Sequence, residues 1–136
     1  MNFEESLILG YVKKLPVDKF RAESLIKSAE QAVETAKSIL LDENSAKTIL
    51  RELYEGFREH FEAIGYLKGF KFFSHEVITC FIEEILKDKI IAGKFDRYRK
   101  IRNGINYYGK NVDLETVREA LKEIPKLIKE LQKFRN

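Results

Sequence analysis

The side chains most suited to chemistry are concentrated in one short segment, residues 95–110. Two arginines, two carboxamides and a phenol recur there at helical spacing and form one polar ridge: Arg99, Arg102, Asn103, Asn106 and Tyr107. An arginine grips a phosphate through parallel hydrogen bonds, and carboxamides and a phenol can orient a base or a ribose. The ridge therefore predicts a site for a ligand that contains phosphate, either an RNA or a nucleotide.

Positive charge is also concentrated in the last third of the chain. The formal net charge is +3, yet residues 94–136 carry 12 basic and 6 acidic side chains, and the rest of the chain is slightly acidic. Five basic residues fall within nine positions: Lys94, Arg97, Arg99, Lys100 and Arg102. Two interpretations stay open, a solvated helix face and a surface that faces the phosphates of a ligand.

The histidines and the cysteine form no obvious site. His60 lies on a mainly charged face and is expected to be exposed, whereas Cys80 lies in an apolar helix and is expected in the core. His75 has two open roles: it packs against the loop 69–74, or it approaches Arg102 from a neighbouring helix or across a dimer and supplies a base. One cysteine and two distant histidines predict no metal site, and without a glycine-rich phosphate loop we expect no cofactor.

Length and composition predict a single globular domain that spans residues 1–136, and the helical spacing of its apolar residues makes that domain all-α. With 44% hydrophobic and 35% charged residues, a globular chain is favoured over a disordered one. Only 7 glycines and 2 prolines argue against a turn-rich β-sandwich. No apolar run approaches the roughly 18 residues that a membrane span needs. We therefore expect no membrane association, and the single cysteine favours a reducing cytoplasm.

Apolar residues at helical spacing predict an up-and-down bundle of about five helices. The segments are a short one near 3–14, long helices over 17–40 and 45–67, a helix capped by Ser74, a helix over 94–108, and a last helix capped by Asp113. Asp42 or Asn44 is expected to cap the second long helix. Gly93 is expected to interrupt the chain between helices, and Pro125 to kink the last helix without dividing it.

The pattern inside these helices also predicts which faces are buried. Several alanines along 17–40 indicate close packing against another helix. A stripe of four apolar or aromatic residues in 94–108 is expected in the core: Tyr98, Ile101, Ile105 and Tyr108. No stretch alternates between apolar and polar residues, so no β-strand is expected.

The chain resembles HEPN-domain proteins over almost its full length. The opening NFEESLILGYVKKLPVDKFRAESLIKSAEQAVETAK is similar to their N-terminal helices, as are the helix 45–67 and the Ser74-His75-Glu76 that follows it. The most specific match is Arg102-Asn103, which Gly104 and INYYG follow. HEPN ribonucleases carry an arginine, then a polar residue, then a histidine about five positions beyond the arginine. Tyr107 fills that histidine position here.

The resemblance implies a ribonuclease that works without a metal. In that family a histidine takes the proton of the 2′-hydroxyl, and the arginine stabilises charge on the phosphate. An imidazole with a pKa of about 6.5 suits this step at pH 7 better than a phenol, whose pKa is about 10. The implied catalytic residues are Arg102, Asn103 and Tyr107. The implied nucleic-acid or nucleotide contacts are Arg97, Arg99, Asn106, Lys110 and His75.

Three functions stay open at this point. The first is a HEPN protein of toxin–antitoxin type with a degenerate ribonuclease motif. The second is a non-catalytic accessory subunit that binds a nucleotide or a nucleotidyltransferase partner, since HEPN chains are often paired with such enzymes. The third is a helical interaction module. The usual tyrosine that a partner modifies with AMP has no counterpart, because Gly109 occupies its position. HEPN domains also dimerise, so we expect a homodimer with both Arg102 residues in one cleft.

Overall fold

The chain forms a bundle of six α-helices with one small two-stranded sheet. The computed structural model describes residues 1–135, so Asn136, the last residue of the predicted domain, lies outside the described part. The elements in chain order are α1 (Phe3–Leu9), β1 (Val12–Lys14), α2 (Lys19–Ser38), α3 (Ala46–Leu67), β2 (Phe70–Phe72), α4 (His75–Glu84), α5 (Lys89–Tyr108), α6 (Leu114–Glu130) and a 3₁₀ turn (Leu131–Phe134). The predicted all-α class is confirmed.

Side-chain caps fix where most of the helices begin. Asp18 accepts a hydrogen bond from a backbone N–H of the first turn of α2 at 3.0 Å, and Asp113 does the same for α6 at 2.7 Å. Ser74 accepts from the N–H of Glu76 at 3.2 Å and caps α4, as expected. Each cap satisfies a backbone donor that the helix itself leaves without a partner.

α3 is the central element, and it packs against α2, α4, α5, α6 and β2. Its buried aromatic rings meet a phenylalanine of α5, and the ring centroids of Phe57, Phe61 and Phe95 lie 5.1–5.6 Å apart. Tyr54 joins this cluster, with its ring centroid 5.6 Å from that of Phe95. The cluster packs α5 against α3, and Arg102 of the polar ridge lies next to it, with its guanidinium carbon 5.4 Å from the ring centroid of Tyr54.

The alanine face of α2 packs closely against α3, as the sequence predicts. Ala22, Ala29 and Ala36 are buried. A Cβ atom at Gly56 of α3 would lie only 2.7 Å from Cγ2 of Val33, so the glycine permits this close approach. The alanines are therefore covered within one chain, and they offer no free surface to a second copy.

The expectation that the chain has no β-strand is wrong. β1 and β2 pair antiparallel, with Val12 opposite Phe72 and Lys13 opposite Lys71. Each strand has three residues, which is too short for alternation to be recognised in the sequence. Packing against the core stabilises this short strand pair. The ring of Phe72 contacts the core and lies so close to α3 that a Cβ at Gly65 would be 2.7 Å from it.

Several predicted boundaries are also wrong. α1 ends at Leu9 and does not continue to residue 14, because Gly10 takes a left-handed conformation with φ 82°. Ser45 holds the N-cap position of α3, while Asp42 accepts two backbone hydrogen bonds in the preceding turn. Gly93 lies inside α5, which begins one residue after the capping Asp88.

The buried stripe of α5 is shorter than expected. Tyr98 and Ile105 are buried and Ile101 is partly buried, but Tyr108 is 76% exposed. Tyr108 is the last residue of the helix, and Gly109 turns the chain away beyond the edge of the core. The stripe therefore ends one turn before the helix does, which leaves the C-terminal end of α5 exposed to solvent.

α6 completes the bundle and continues through Pro125 as one helix, as expected. Val117, Ala120 and Ile124 are buried on its inner face, next to α3. Within residues 1–135, no helix combines the length and the apolar character that crossing a bilayer requires.

Candidate functional site

The start of α4 and the C-terminal half of α5 border an open pocket of about 390 Å³. Its lining combines five residues expected at a functional site with three from the segment before and at the start of α4: Phe73, Ser74, His75, Glu76, Arg99, Arg102, Asn103 and Tyr107. The fold thus brings together His75 and the Arg102-Asn103 pair, which are 27 or more positions apart in sequence. His75 and Arg102 thus line one pocket within a single chain.

Arg102 is the most unusual charge in the pocket. Its guanidinium carbon lies 5.4 Å from the ring centroid of Tyr54 and 6.0 Å from that of Tyr107, and Nη1 donates a hydrogen bond to Oδ1 of Asn103 at 3.2 Å. Within residues 1–135 it forms no salt bridge, whereas Arg99 is paired with Asp96 at 2.8 Å. Arg102 is therefore a partly buried cation whose charge no carboxylate neutralises, and such a cation favours an anionic ligand.

His75 is held in place by α3. Its Nδ1 lies 3.0 Å from the phenol oxygen of Tyr54, so Nε2 is the nitrogen left for a ligand. Burial, together with the positive charges of Arg58 and Arg102, lowers the pKa of His75 to about 4. The imidazole is consequently neutral at pH 7. Burial raises the pKa of Tyr54, so its phenol stays protonated and can either donate to Nδ1 or accept from it.

Tyr107 lies at the rim of the pocket and not on its floor. Its side chain is 70% exposed, and its ring faces the guanidinium of Arg102. A ring in this position can stack on a base or hydrogen-bond to a ribose, while the neighbouring arginine holds the phosphate. The ring of Tyr107 is therefore accessible from outside the pocket.

Three other residues expected to bind a ligand do not line the pocket. Arg97 forms an ion pair with Glu119 of α6 at 3.2 Å. Asn106 accepts a hydrogen bond from Nε of Arg51 at 2.7 Å. Lys110 follows the end of α5, with its Nζ 5.9 Å from the ring centroid of Tyr108. None of these three residues forms a wall of the pocket.

The sequence reasoning missed four residues that build the site. Phe73, Ser74 and Glu76 line the pocket directly, and Tyr54 holds His75. The sequence signal for the first three was the Ser74 cap next to a histidine, since a cap fixes the position of the residues that flank it. No local pattern distinguishes Tyr54 from the other core aromatic residues of α3.

The other histidine and the single cysteine lie away from the pocket. His60 is buried, with 4% of its surface exposed, so the expectation that it is exposed is wrong. Burial lowers the pKa of His60 to about 4, and the charge of Arg135 adds to the effect. Cys80 is partly buried, and burial raises the pKa of its thiol. In the part of the chain that the structure describes, no three His, Cys, Asp or Glu side chains are grouped as metal ligands would be.

Comparisons with protein-family models, with curated proteins and with solved structures found no match to this chain. The resemblance to HEPN proteins accordingly rests on the sequence alone, with Arg102-Asn103 as its most specific part. The pocket geometry is independent of that resemblance, because it follows from how α3, α4 and α5 pack.

Proposed function

We propose that the protein is an RNA-binding protein of HEPN type, and that the pocket between α4 and α5 holds one phosphate of the RNA backbone. The observation that carries this proposal is the partly buried Arg102 without a carboxylate partner, next to a neutral His75. An arginine that forms no ion pair with a carboxylate attracts phosphate. A neutral imidazole adds a hydrogen-bond donor or acceptor and brings no charge of its own.

The exposed ring of Tyr107 favours RNA over a simple inorganic anion. Sequence-tolerant binding of RNA uses aromatic rings that stack on unpaired bases, next to cations that contact the backbone. Tyr107 and Arg102 form such a pair at the mouth of the pocket. The basic side chains around it, among them Arg51 and Lys110, would attract further phosphates of the same strand.

RNA cleavage without a metal is the activity that this site would support. His75 would take the proton of a 2′-hydroxyl through Nε2, and the freed oxygen would attack the adjacent phosphorus. The bond from phosphorus to the 5′-oxygen would then break, which leaves a 2′,3′-cyclic phosphate on one fragment. The departing 5′-oxygen would take a proton from water and become the 5′-hydroxyl of the other fragment. Arg102 would stabilise the charge on the phosphate during this step.

A second candidate is a non-catalytic, nucleotide-binding or accessory subunit of a nucleotidyltransferase. The low pKa of His75 supports it, because a base with a pKa of about 4 is weak at pH 7. Tyr107 in place of the histidine expected from the HEPN motif supports it as well. In this function the pocket would bind a nucleotide or the phosphate of a partner-bound ligand without cleaving RNA.

Binding is tested with a fluorescein-labelled single-stranded RNA and fluorescence anisotropy. Arg102→Ala should weaken binding by roughly tenfold or more, since a charge-assisted hydrogen bond contributes about 1.5–3 kcal/mol. Arg118→Ala is the matched control, because Arg118 is exposed on α6 and is paired only with Glu115. Equal losses in both variants would contradict the pocket as the binding site.

Cleavage is tested on the same RNA in the presence of a chelator. If the protein is a ribonuclease, Arg102→Ala and His75→Gln should each reduce the rate by about 100-fold or more, and a 2′-deoxy substrate should stay intact. Far-UV circular dichroism checks that both variants fold. Binding without any cleavage by the wild-type protein would decide for the accessory subunit.

A further inference from the structure

The outer face of the β1–β2 pair has an unusual composition. Lys13 and Lys71 are opposite each other in the register, and the backbone N–H of Phe73 donates to the carbonyl of Tyr11 at 2.8 Å, which extends the pairing by one residue. Because side chains alternate along a strand, these four residues share one face, while Val12 is buried on the other. This ribbon face is defined here as Tyr11, Lys13, Lys71 and Phe73.

The ribbon face combines exposed rings with unpaired cations. Phe73 is 54% exposed and Tyr11 is 44% exposed. The Nζ atoms of Lys13 and Lys71 lie 5.3 and 5.2 Å from the ring centroid of Phe73, and within residues 1–135 neither lysine forms a salt bridge. An aromatic ring flanked by two cations is the arrangement that stacks on an unpaired base while the cations contact the flanking phosphates.

The ribbon face is continuous with the pocket. Phe73 belongs to both, because it also lines the pocket with His75, Arg102 and Tyr107. Only Ser74 separates Phe73 from His75 in the sequence. A strand whose phosphate lies at Arg102 therefore has an aromatic ring and two lysines next to it, in the direction of the sheet.

We propose that the ribbon face is a second subsite for single-stranded RNA, adjacent to the pocket, in which an unpaired base stacks on Phe73 and the flanking backbone phosphates contact Lys13 and Lys71. The inference rests on the proposed function of the pocket and specifies its ligand. The ligand is an unpaired strand of several nucleotides, because a duplex keeps its bases stacked inside the helix and a mononucleotide is too short to reach both subsites.

The stacking contact is tested by Phe73→Leu, which keeps an apolar side chain and removes the aromatic ring. Anisotropy with a labelled single-stranded RNA should show affinity roughly tenfold weaker, the effect expected for one lost base stack, and Phe73→Tyr should retain wild-type affinity. Phe20→Leu is the matched control, since Phe20 is 87% exposed on α2 and should not affect binding. Phe73 is half exposed, so the replacement should leave the thermal unfolding midpoint nearly unchanged.

The lysines are tested by the salt dependence of the same binding. The double variant Lys13→Gln/Lys71→Gln should reduce the slope of log affinity against log salt by roughly 1.4, because each phosphate contact on a single strand contributes about 0.7. The control is Lys27→Gln/Lys122→Gln, two exposed lysines on α2 and α6. A slope change of the same size in the control would show a general charge effect and overturn the subsite.

The remaining outcomes separate this inference from the proposed function. Loss of binding in Arg102→Ala, with wild-type affinity in Phe73→Leu and in the lysine double variant, would leave the pocket in place and refute the ribbon subsite. No binding of single-stranded RNA by the wild-type protein would refute both. Polyglutamate can be added as a competitor of the labelled RNA. If it competes as well as unlabelled RNA does, and if Phe73→Leu does not change RNA binding, the surface attracts any polyanion and the subsite is refuted. Uridine monophosphate should bind Phe73→Leu and wild type alike but bind Arg102→Ala more weakly.

Discussion

Acid should destabilise the protein through the buried His60 and the partly buried His75. Burial is the main reason why His60 and His75 each have a pKa of about 4, whereas a histidine in the unfolded chain has a pKa of about 6.5. The unfolded chain therefore binds protons more strongly than the folded one in this interval. The contribution to stability is complete above pH 6.5 and is lost progressively as the pH falls towards 4.

The magnitude follows from the size of the pKa difference. A difference of about 2.5 pH units corresponds to roughly 3 kcal/mol for a fully buried histidine, at 1.36 kcal/mol per unit. His60 is 4% exposed and should approach this value. His75 borders an open pocket, so solvent should reduce its contribution below that of His60. Either loss is large beside a typical unfolding free energy of about 5–15 kcal/mol.

The assay is urea unfolding at several pH values between 4.5 and 7, for the wild-type protein, His60→Gln and His75→Gln. Each variant should lose stability less steeply on the acid side, because one titrating group is absent, and the comparison with wild type cancels the carboxylates. The two histidines can also be titrated directly by NMR, since the chain has no others. A pKa near 6.5 for His75 would refute its burial and its contact with Tyr54.

Other predictions concern packing, assembly and the altered motif. Gly56→Ala should destabilise the fold by about 1–3 kcal/mol, because its Cβ would lie 2.7 Å from Val33. Gly93→Ala should stabilise α5 by about 1 kcal/mol, because no atom lies within 4 Å of the added Cβ. Thermal or urea unfolding measures both changes in stability, and two changes of the same sign would contradict the packing of α2 on α3. Light scattering at micromolar concentration should show a homodimer, with twice the 16.0 kDa chain mass; a monomer would contradict this. If the wild-type protein cleaves RNA, Tyr107→His should raise the rate by restoring the usual base, and no increase would give Tyr107 a binding role instead.

Most of the fold could be predicted from the sequence because helices are determined locally. The caps at Ser74 and Asp113 and the periodic apolar faces placed a predicted segment on each of the six helices that the structure describes. The start of α5 was missed because Gly93 suggested a break, while the capping Asp88 lies five residues earlier. The small sheet could not be predicted, since its three-residue strands depend on packing against the core rather than on a pattern of their own.

The site was only partly predictable for the same physical reason. Arg102, Asn103 and Tyr107 are close in sequence and on one helix, so their proximity follows from helical geometry. The approach of His75 to Arg102 depends on how α4 packs against α5, and no local signal specifies that distance. The hydrogen bond between Tyr54 and His75 could not be predicted from the sequence either. A buried tyrosine that bonds to a histidine has the same sequence context as one that only fills the core.

The most direct test of a phosphate site at Arg102 and His75 is an NMR titration of the labelled protein with a short single-stranded RNA made non-cleavable by 2′-O-methylation. The side-chain Nε–Hε signal of Arg102 and the ring signals of His75 should shift together and saturate at one RNA per site. His60 serves as the internal reference, and its signals should stay fixed because it is buried away from the pocket. Saturating shifts elsewhere on the protein, with Arg102 and His75 unchanged, would contradict the account.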